Sequence, residues 1–297
     1  MKSLTRIGGL KRDEIDELLE RAHNAMEDAR RPDLRGTSVA LLFASPSLRT
    51  RVGFEVAAAR CGSVSVWADA LRYTERMSVP ESVEDAVRSV AGWFDVLCLR
   101  HPDATAVDRV SALVDVPIIN CGNGSDEHPT QALVDLFAIE RLVGQIDGLR
   151  IAVVGDLNGM RVAHSLLLAL SFFEDVVVIA VSPPGLEFEQ AYLDAATHRG
   201  LCVEQTGELD VDECDVVYAA GLPRGSVVEI TDEWRAKLQI DEAVADRLGP
   251  HAKILCPLPR IDEVTVGVDR MPQAGYFEQS SLGMAMRMAI LGWVLNR

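Results

Sequence analysis

The chain has 297 residues, enough for two cores of ordinary domain size, and its composition of 48% hydrophobic and 25% charged residues is typical of a globular protein. Its formal net charge is −16 with an isoelectric point near 4.8, which argues against a nucleic acid or an anionic membrane as a partner. An acidic protein must hold an anionic substrate with a local cluster of arginines, so arginines at the ends of predicted elements are the first candidates.

Two further features bound the function. No apolar run reaches the roughly 18 residues that a membrane-spanning helix needs, and the first 22 residues contain no apolar signal-peptide core, so we expect a cytoplasmic protein. The six cysteines are scattered singly, mostly in apolar strand-like runs, and none forms a C-x-x-C pair. They are expected to be reduced core residues rather than a zinc site or a disulfide framework.

The first half of the chain alternates short β-rich runs with helical patterns. An amphipathic helix is predicted first, over Lys11–Arg30, and Pro32 ends it. The predicted strands are Val39–Phe43, Ser63–Trp67, Asp95–Leu99 and Val116–Asn120, and the predicted helices are Arg49–Cys61, Ser82–Trp93, Thr105–Val114 and Pro129–Val143. Alternation of this kind indicates βαβ units and a parallel sheet.

The alternation restarts after Gly144. The predicted strands are Arg150–Val154, Val176–Val181, Leu201–Glu204, Asp215–Tyr218 and Lys253–Cys256. The final stretch, Ser280–Leu295, is helical and apolar on most faces, so we expect it to pack back on the first domain. The fold class is therefore α/β, with two doubly wound parallel-sheet domains: residues 1–143 joined by 280–297, and residues 144–279.

The first predicted strand runs directly into a helix whose first turn carries Ser47, Arg49 and Thr50. The amides of a helix start favour an anion, and guanidinium and hydroxyl groups beside them make a phosphate site with fixed donors. For this segment alone, a solvated, arginine-rich helix start is an equally good interpretation.

Other strands are followed by similar groups, and ligands collect at the carboxyl ends of strands in open α/β sheets. Alone, Arg100 fits a surface ion pair, and His128 fits a helix-capping role. The segment from Gly155 to Arg161 lacks the G-x-G-x-x-G spacing, so a dinucleotide site is weakly supported. Together, the strand ends supply arginines, a histidine, a glutamine and a proline-stiffened loop, which indicates one anion-binding active site.

These motifs, in this order, resemble the aspartate/ornithine carbamoyltransferase (transcarbamylase) family over essentially the whole chain. Ser47-Leu48-Arg49-Thr50-Arg51 stands in place of the family's Ser-Thr-Arg-Thr-Arg, and the family's His-Pro-x-Gln is present as His128-Pro129-Thr130-Gln131. Arg100-His101-Pro102 also matches. Pro257-Leu258-Pro259-Arg260 and the tail YFEQSSLGMAMRMAIL are similar to the aspartate branch, whereas ornithine enzymes carry His-Cys-Leu-Pro.

The resemblance implies a carbamoyl-phosphate-binding first domain, an amino-acid-binding second domain and a site in the cleft between them. It implies transfer of a carbamoyl group from carbamoyl phosphate to an amine, and a homotrimer whose neighbouring subunits share each site. No metal or cofactor is implied, because the leaving phosphate carries its own base and catalysis is mostly orientation and charge stabilisation.

The resemblance also assigns residues. The implied catalytic residues are Arg49, Thr50, Arg100, His128 and Gln131. The implied contacts to carbamoyl phosphate are these five with Ser47, Leu48 and, through their backbone carbonyls, Pro257 and Leu258. The expected acceptor contacts are Arg161, which matches a carboxylate-binding arginine of the family, Leu258, and Arg224, which the family pattern does not assign but which could approach from the altered loop.

The sequence departs from the family pattern at three places. Leu48 replaces a threonine of the phosphate motif, so weaker phosphate binding is expected. The aspartate branch has Lys-Gly-Glu in a loop that reaches the neighbouring subunit, where this chain has Val79-Pro80-Glu81; Arg76 and Ser78 are the candidate substitutes. In the acceptor motif Thr-Arg-Val-Gln, the arginine and glutamine positions hold Gly221 and Pro223.

We therefore favour, from the sequence, a transcarbamylase that kept carbamoyl phosphate and accepts an amine other than aspartate. Ordinary aspartate carbamoyltransferase activity, with Arg224 replacing the lost arginine, is the alternative. A weakly active or non-catalytic paralogue that binds ligand or partners an active subunit is a hypothesis of a different class. A dehydrogenase is the least favoured hypothesis.

Overall fold

A computed structural model describes residues 2–68 and 81–297. The chain divides into two compact units, Met1–Val134 with Leu282–Arg297, and Asp135–Ser281. This division falls inside the long helix that the sequence analysis assigned wholly to the first domain. The predicted domain limits, 1–143 and 144–279, stay a prediction.

The first unit contains a parallel four-stranded sheet in the order β2-β1-β3-β4. Its strands are β1 (Ser38–Phe43), β2 (Val64–Ala68), β3 (Val96–His101) and β4 (Ile118–Asn123), and its helices are α1 (Arg12–Ala25), α2 (Leu48–Arg60), α3 (Val83–Val90) and α4 (Ala106–Ser111). Helix α5 (Pro129–Val143) follows, with the limits that the sequence predicts. Strands β1, β3 and β4 are buried along most of their length, as expected when helices cover both faces of a sheet.

The second unit contains a parallel five-stranded sheet in the order β7-β6-β5-β8-β9. Its strands are β5 (Arg150–Gly155), β6 (Val177–Val181), β7 (Cys202–Thr206), β8 (Val216–Gly221) and β9 (Lys253–Leu255), and the helices that follow α5 are α6 (Arg161–Leu170), α7 (Gln190–Thr197), α8 (Asp232–Lys237), α9 (Glu242–Arg247) and α10 (Tyr276–Val294). The two parallel-sheet α/β domains confirm the predicted fold class.

Several predicted limits were wrong. Helix α1 ends at Ala25, its last buried apolar position, and a separate 3-10 turn covers Asp28–Arg30. Helix α10 begins four residues earlier than predicted, at the fully buried Tyr276. Strand β4 is shifted toward Asn123, because the chain stays in the strand and buried for three residues beyond the predicted end at Asn120.

Five of the six cysteines are buried, as predicted, but Cys202 is exposed because it lies on the edge strand β7. Within the described residues, no helix is long and apolar enough to cross a membrane. The cytoplasmic location stays a prediction.

Candidate functional site

In the first unit, the predicted substrate residues follow three neighbouring strands. Arg49 follows β1, Arg100 lies near the end of β3, and His128 follows β4. Strand β3 lies between β1 and β4, and all three run parallel, so their carboxyl ends share one edge of the sheet. The residues that the sequence nominates for carbamoyl phosphate in this unit therefore lie at the edge where open α/β sheets bind ligands.

Helix α2 begins with Ser47 as its N-cap residue in an extended conformation, and within the described part of the chain its side chain accepts no capping hydrogen bond. Thr50 is buried, whereas Leu48 is 71% exposed. A cavity of about 250 Å³ lies beside this helix start; its lining is Phe43, Ser45, Pro46, Ser47, Leu48, Arg51 and Trp67. Since the first amides of a helix have no partner within the helix, this start can bind an anion.

Arg100 is held in place from two sides. Its Nε donates a hydrogen bond to Ser45 Oγ at 3.1 Å, and its guanidinium also donates to the carbonyl of Cys121 at 3.0 Å. Burial lowers the pKa of Arg100, and the positive charge of Arg49 lowers it further. Two guanidiniums that repel each other across a partly buried space favour an anion between them, because the anion relieves the repulsion.

His128 and Gln131 lie at the start of helix α5. His128 is 5% exposed, and its Nδ1 lies 3.1 Å from Thr130 Oγ1, so the hydroxyl fixes the orientation of the imidazole. The backbone amide of Gln131 donates a hydrogen bond to the backbone carbonyl of His128 at 2.9 Å, so the two residues lie in one turn. The geometry presents an imidazole and a carboxamide at the same edge as Arg100.

Arg287 is a buried residue that the sequence analysis missed. It lies on α10, and a Cβ at Gly53 in helix α2 would lie 2.7 Å from its Nε. A Cβ at Gly283 would also lie 2.7 Å from the guanidinium. The signal for it was a single arginine in an apolar helix, whose buried charge needs a partner.

In the second unit, the predicted acceptor residues follow the neighbouring strands β5, β8 and β9. Arg161 is the first residue of α6, and Arg224 follows β8. Gly221 ends β8 with φ 121°, and a Cβ on it would lie 3.2 Å from the methyl carbon of Met160. A Cβ on Gly155 would lie 2.4 Å from the Gly221 carbonyl. A side chain at position 221, where the family carries its acceptor arginine, would therefore be strained by the backbone conformation and would press on Met160.

Two arginines flank Asp262 in the loop after β9. Arg224 is 73% exposed, and its guanidinium lies 3.4 Å from Asp262 Oδ2. Arg235, from α8, is buried and lies 3.1 Å from Asp262 Oδ1. The structure thus places a solvent-facing cation just after the carboxyl end of β8, directly after the altered motif.

The Pro257–Leu258 loop is fixed by a buried hydrogen-bond network that sequence reasoning also missed. The amide of Cys256 donates to Gln279 Oε1 at 2.9 Å, and Gln279 Nε2 donates to Asp135 Oδ1 at 2.7 Å. Tyr218 donates its hydroxyl to the other oxygen of Asp135 at 2.9 Å, and burial raises the pKa of this phenol well above its usual value. Leu258 has φ 53° and precedes a cis proline.

Arg76 and Ser78, nominated for a neighbouring subunit's site, lie outside the described residues. Among the residues that the structure describes, no group of three or more His, Cys, Asp or Glu side chains is arranged to hold a metal ion.

Comparison with known families decides the assignment. Residues 2–141 match the aspartate/ornithine carbamoyltransferase carbamoyl-P binding domain, and residues 147–294 match the Asp/Orn binding domain of the same family. The chain belongs to the aspartate/ornithine carbamoyltransferase family. It is therefore a carbamoyltransferase, as the strand-end motifs predicted.

Relatives of this carbamoyltransferase come from distant organisms. It is 36% identical over 284 residues to the chloroplastic aspartate carbamoyltransferase of Oryza sativa, covering 94% of this chain and 78% of that one. It is 37% identical to the aspartate carbamoyltransferase catalytic subunit of Methanocaldococcus jannaschii, covering 98% and 97%.

Solved structures give the same result. The aspartate transcarbamoylase of Trypanosoma cruzi in complex with carbamoyl aspartate and phosphate superposes with a TM-score of 0.88 at 33% identity, covering 99% of this chain and 95% of that one. The M. jannaschii catalytic subunit superposes with a TM-score of 0.89 at 35% identity, covering 100% and 98%.

Proposed function

We propose that this carbamoyltransferase transfers the carbamoyl group of carbamoyl phosphate to the amino group of aspartate and releases phosphate. The observation that carries the proposal is 35–37% identity, over nearly the whole chain, to proteins named aspartate carbamoyltransferase. The sequence analysis favoured a different acceptor, but the names of the relatives support its alternative better, so aspartate is the first candidate.

The first unit would bind carbamoyl phosphate. The start of helix α2 suits the phosphate, which would accept hydrogen bonds from Ser47, Thr50 and the first amides of the helix, with Arg49 supplying charge. Arg100 and His128 would donate to the carbamoyl oxygen as it becomes an oxyanion. Removing one such donor typically lowers the rate by about 10² to 10³.

The reaction needs no protein nucleophile. The acceptor nitrogen attacks the carbamoyl carbon, the carbon–oxygen bond to phosphate breaks, and the departing phosphate takes a proton from the nitrogen. Gln131 and the carbonyls of Pro257 and Leu258 would hold the carbamoyl amide. The protein's contribution is to align the two substrates and to stabilise charge.

The second unit would bind the acceptor. Arg161 and Arg224 are the candidate ligands for its carboxylates, and Leu258 would contact its carbon chain. A charge-assisted contact between an arginine and a carboxylate contributes roughly 1.5–3 kcal/mol, so the position of Arg224 is decisive for the choice of acceptor.

An amine other than aspartate is the second candidate. It is favoured by the turn at Gly221 and by Pro223, which occupy the positions of the family's acceptor arginine and glutamine. The comparisons support an enzyme rather than the non-catalytic partner that the sequence left open.

We also propose the homotrimer with shared sites that the resemblance implies. Its support is an exposed apolar edge of the first unit, made by strand β2 and the turn after α3. Val64, Val66, Trp67 and Trp93 are exposed there, between 45% and 71%. Apolar edges of this kind mark protein contact sites, and a second copy is the occupant we propose. Light scattering of the purified chain tests this; a monomer would contradict it.

Phosphate release in the presence of carbamoyl phosphate and a panel of amines, including aspartate and ornithine, tests the acceptor. Turnover of aspartate above the other amines is expected. The matched control is His128→Gln, which should lower kcat by about 10² or more with aspartate. Turnover of another amine and not of aspartate would establish the second candidate, and no turnover of any amine would refute the proposal.

A further inference from the structure

The loop after strand β8 is held by a residue that no motif identifies. Arg235 extends from α8 and donates to the carbonyl of Leu222 at 2.7 Å and to the carbonyl of Pro223 at 3.1 Å. The same guanidinium contacts Asp262 at 3.1 Å. One buried guanidinium therefore contacts both the start of the loop that carries Arg224 and Asp262, which lies farther along the loop after β9 than Pro257 and Leu258.

Asp262 contacts both Arg224 and Arg235. The buried Arg235 contacts Oδ1 at 3.1 Å and Oδ2 at 3.4 Å, and the exposed Arg224 lies 3.4 Å from Oδ2. The backbone of the Asp262 loop is itself held, because its carbonyl accepts from Gln239 Nε2 at 2.6 Å and its amide donates to Glu263 at 3.1 Å. Asp262 is thus anchored toward Arg235 and touches Arg224 only at long range.

The two contacts differ in strength. An exposed ion pair at this distance contributes about 0–1 kcal/mol, so Arg224 can exchange Asp262 for a substrate carboxylate at little cost. A buried pair is different, since removing one partner leaves an uncompensated charge. Without Arg235, the carboxylate of Asp262 would turn to Arg224, which is the nearest remaining cation among these residues.

We infer that Arg235 is a positioning residue for acceptor specificity: it holds the β8 loop in place and occupies Asp262, so that Arg224 is presented to the acceptor's carboxylate. This inference rests on the proposed function and deepens it. It makes acceptor selectivity a property of three side chains, Arg224, Arg235 and Asp262, where the family pattern uses an arginine at the position of Gly221.

The test compares the affinities of two ligands of different length for the full chain, measured by calorimetry. Phosphonoacetamide occupies the carbamoyl phosphate half alone, and N-(phosphonacetyl)-L-aspartate also carries the acceptor carboxylates. The ratio of their affinities therefore reports the acceptor half. In Arg235→Met, we expect this ratio to fall at least about tenfold, near 1.4 kcal/mol, with phosphonoacetamide affinity unchanged. In Arg235→Lys the affinity ratio should fall less, because the lysine keeps a positive charge that can pair with Asp262.

A second variant separates positioning from a purely structural role. Asp262→Asn removes the carboxylate that would capture Arg224, so the double variant Arg235→Met with Asp262→Asn should recover part of the lost ratio. An Arg235→Met ratio equal to that of the wild type overturns the inference, and so does an equal loss of both probes, or a double variant no better than the single one. A wild-type ratio near one instead refutes aspartate as the acceptor.

Discussion

Glu127 offers a sharp test of the electrostatics at the start of α5. It is 2% exposed, its Oε2 accepts from the amide of Ile7 at 2.7 Å, and its Oε1 accepts from Arg6 at 3.3 Å. Burial raises its pKa from 4.5 to about 7; Asp126 adds to the rise, and the amide of Ile7 and the charge of Arg6 oppose it. The folded protein therefore binds this proton more tightly than the unfolded chain does.

The sign of the pH dependence follows from that difference. Because the pKa is higher in the folded state, this group stabilises the protein most below its unfolded pKa, and the contribution is lost as the pH rises toward 7. One pKa unit corresponds to about 1.36 kcal/mol, so Glu127 should account for roughly 2–3 kcal/mol of lost stability between about pH 5 and about pH 8.

Glu127→Gln removes the titration and keeps the shape. The wild type should lose stability as the pH rises and the variant should not. The free energy of unfolding of the variant minus that of the wild type should therefore grow by on the order of 2 kcal/mol between about pH 5 and about pH 8. Urea denaturation at several pH values measures it, and the exposed helical residue Glu20, changed to Gln, is the matched control. Parallel stability profiles for wild type and Glu127→Gln would refute the reasoning.

Three further substitutions test the site. Gly53→Ala should destabilise the protein by roughly 1–3 kcal/mol, because its Cβ would press on the buried guanidinium of Arg287; unchanged thermal unfolding would contradict this. Tyr218→Phe should cost roughly 1–3 kcal/mol in urea unfolding, since Asp135 loses a buried donor, and a neutral result would exclude the network as a support. Leu48→Thr adds a hydroxyl beside the phosphate site and should tighten inorganic phosphate binding about fivefold by calorimetry; no change would show that this position does not face phosphate.

The sequence was most informative where a boundary has a local chemical cause. Helix α5 was predicted with its observed limits, because Pro129 suits the first helical turn and Gly144, with φ 102°, suits the end. Helix α6 was missed although its polar residues Arg161, His164 and Ser165 recur at helical spacing. Helices α8 and α9 span six residues each, too few for a periodic signal.

The same reasoning explains which site residues were found. Arg49, Arg100 and His128 stand in short contiguous motifs directly after strands, where a single sequence is readable. Gln279 contacts Asp135 across 144 residues of chain. Its role is set by tertiary packing, which no local pattern encodes.

The start of the loop after β8, in the proposed acceptor site, is held in place by buried hydrogen bonds. If the acceptor arginine had simply been lost, the loop after β8 would be expected to lie on the surface with few fixed contacts. The loop is exposed at residues 224, 225 and 227–229, but a buried guanidinium from Arg235 holds Leu222 and Pro223 at its start. Burying that charge is unfavourable unless hydrogen bonds and an ion pair compensate it. The buried contacts of Arg235 with the start of this loop therefore support the proposal that the chain binds its acceptor through Arg224.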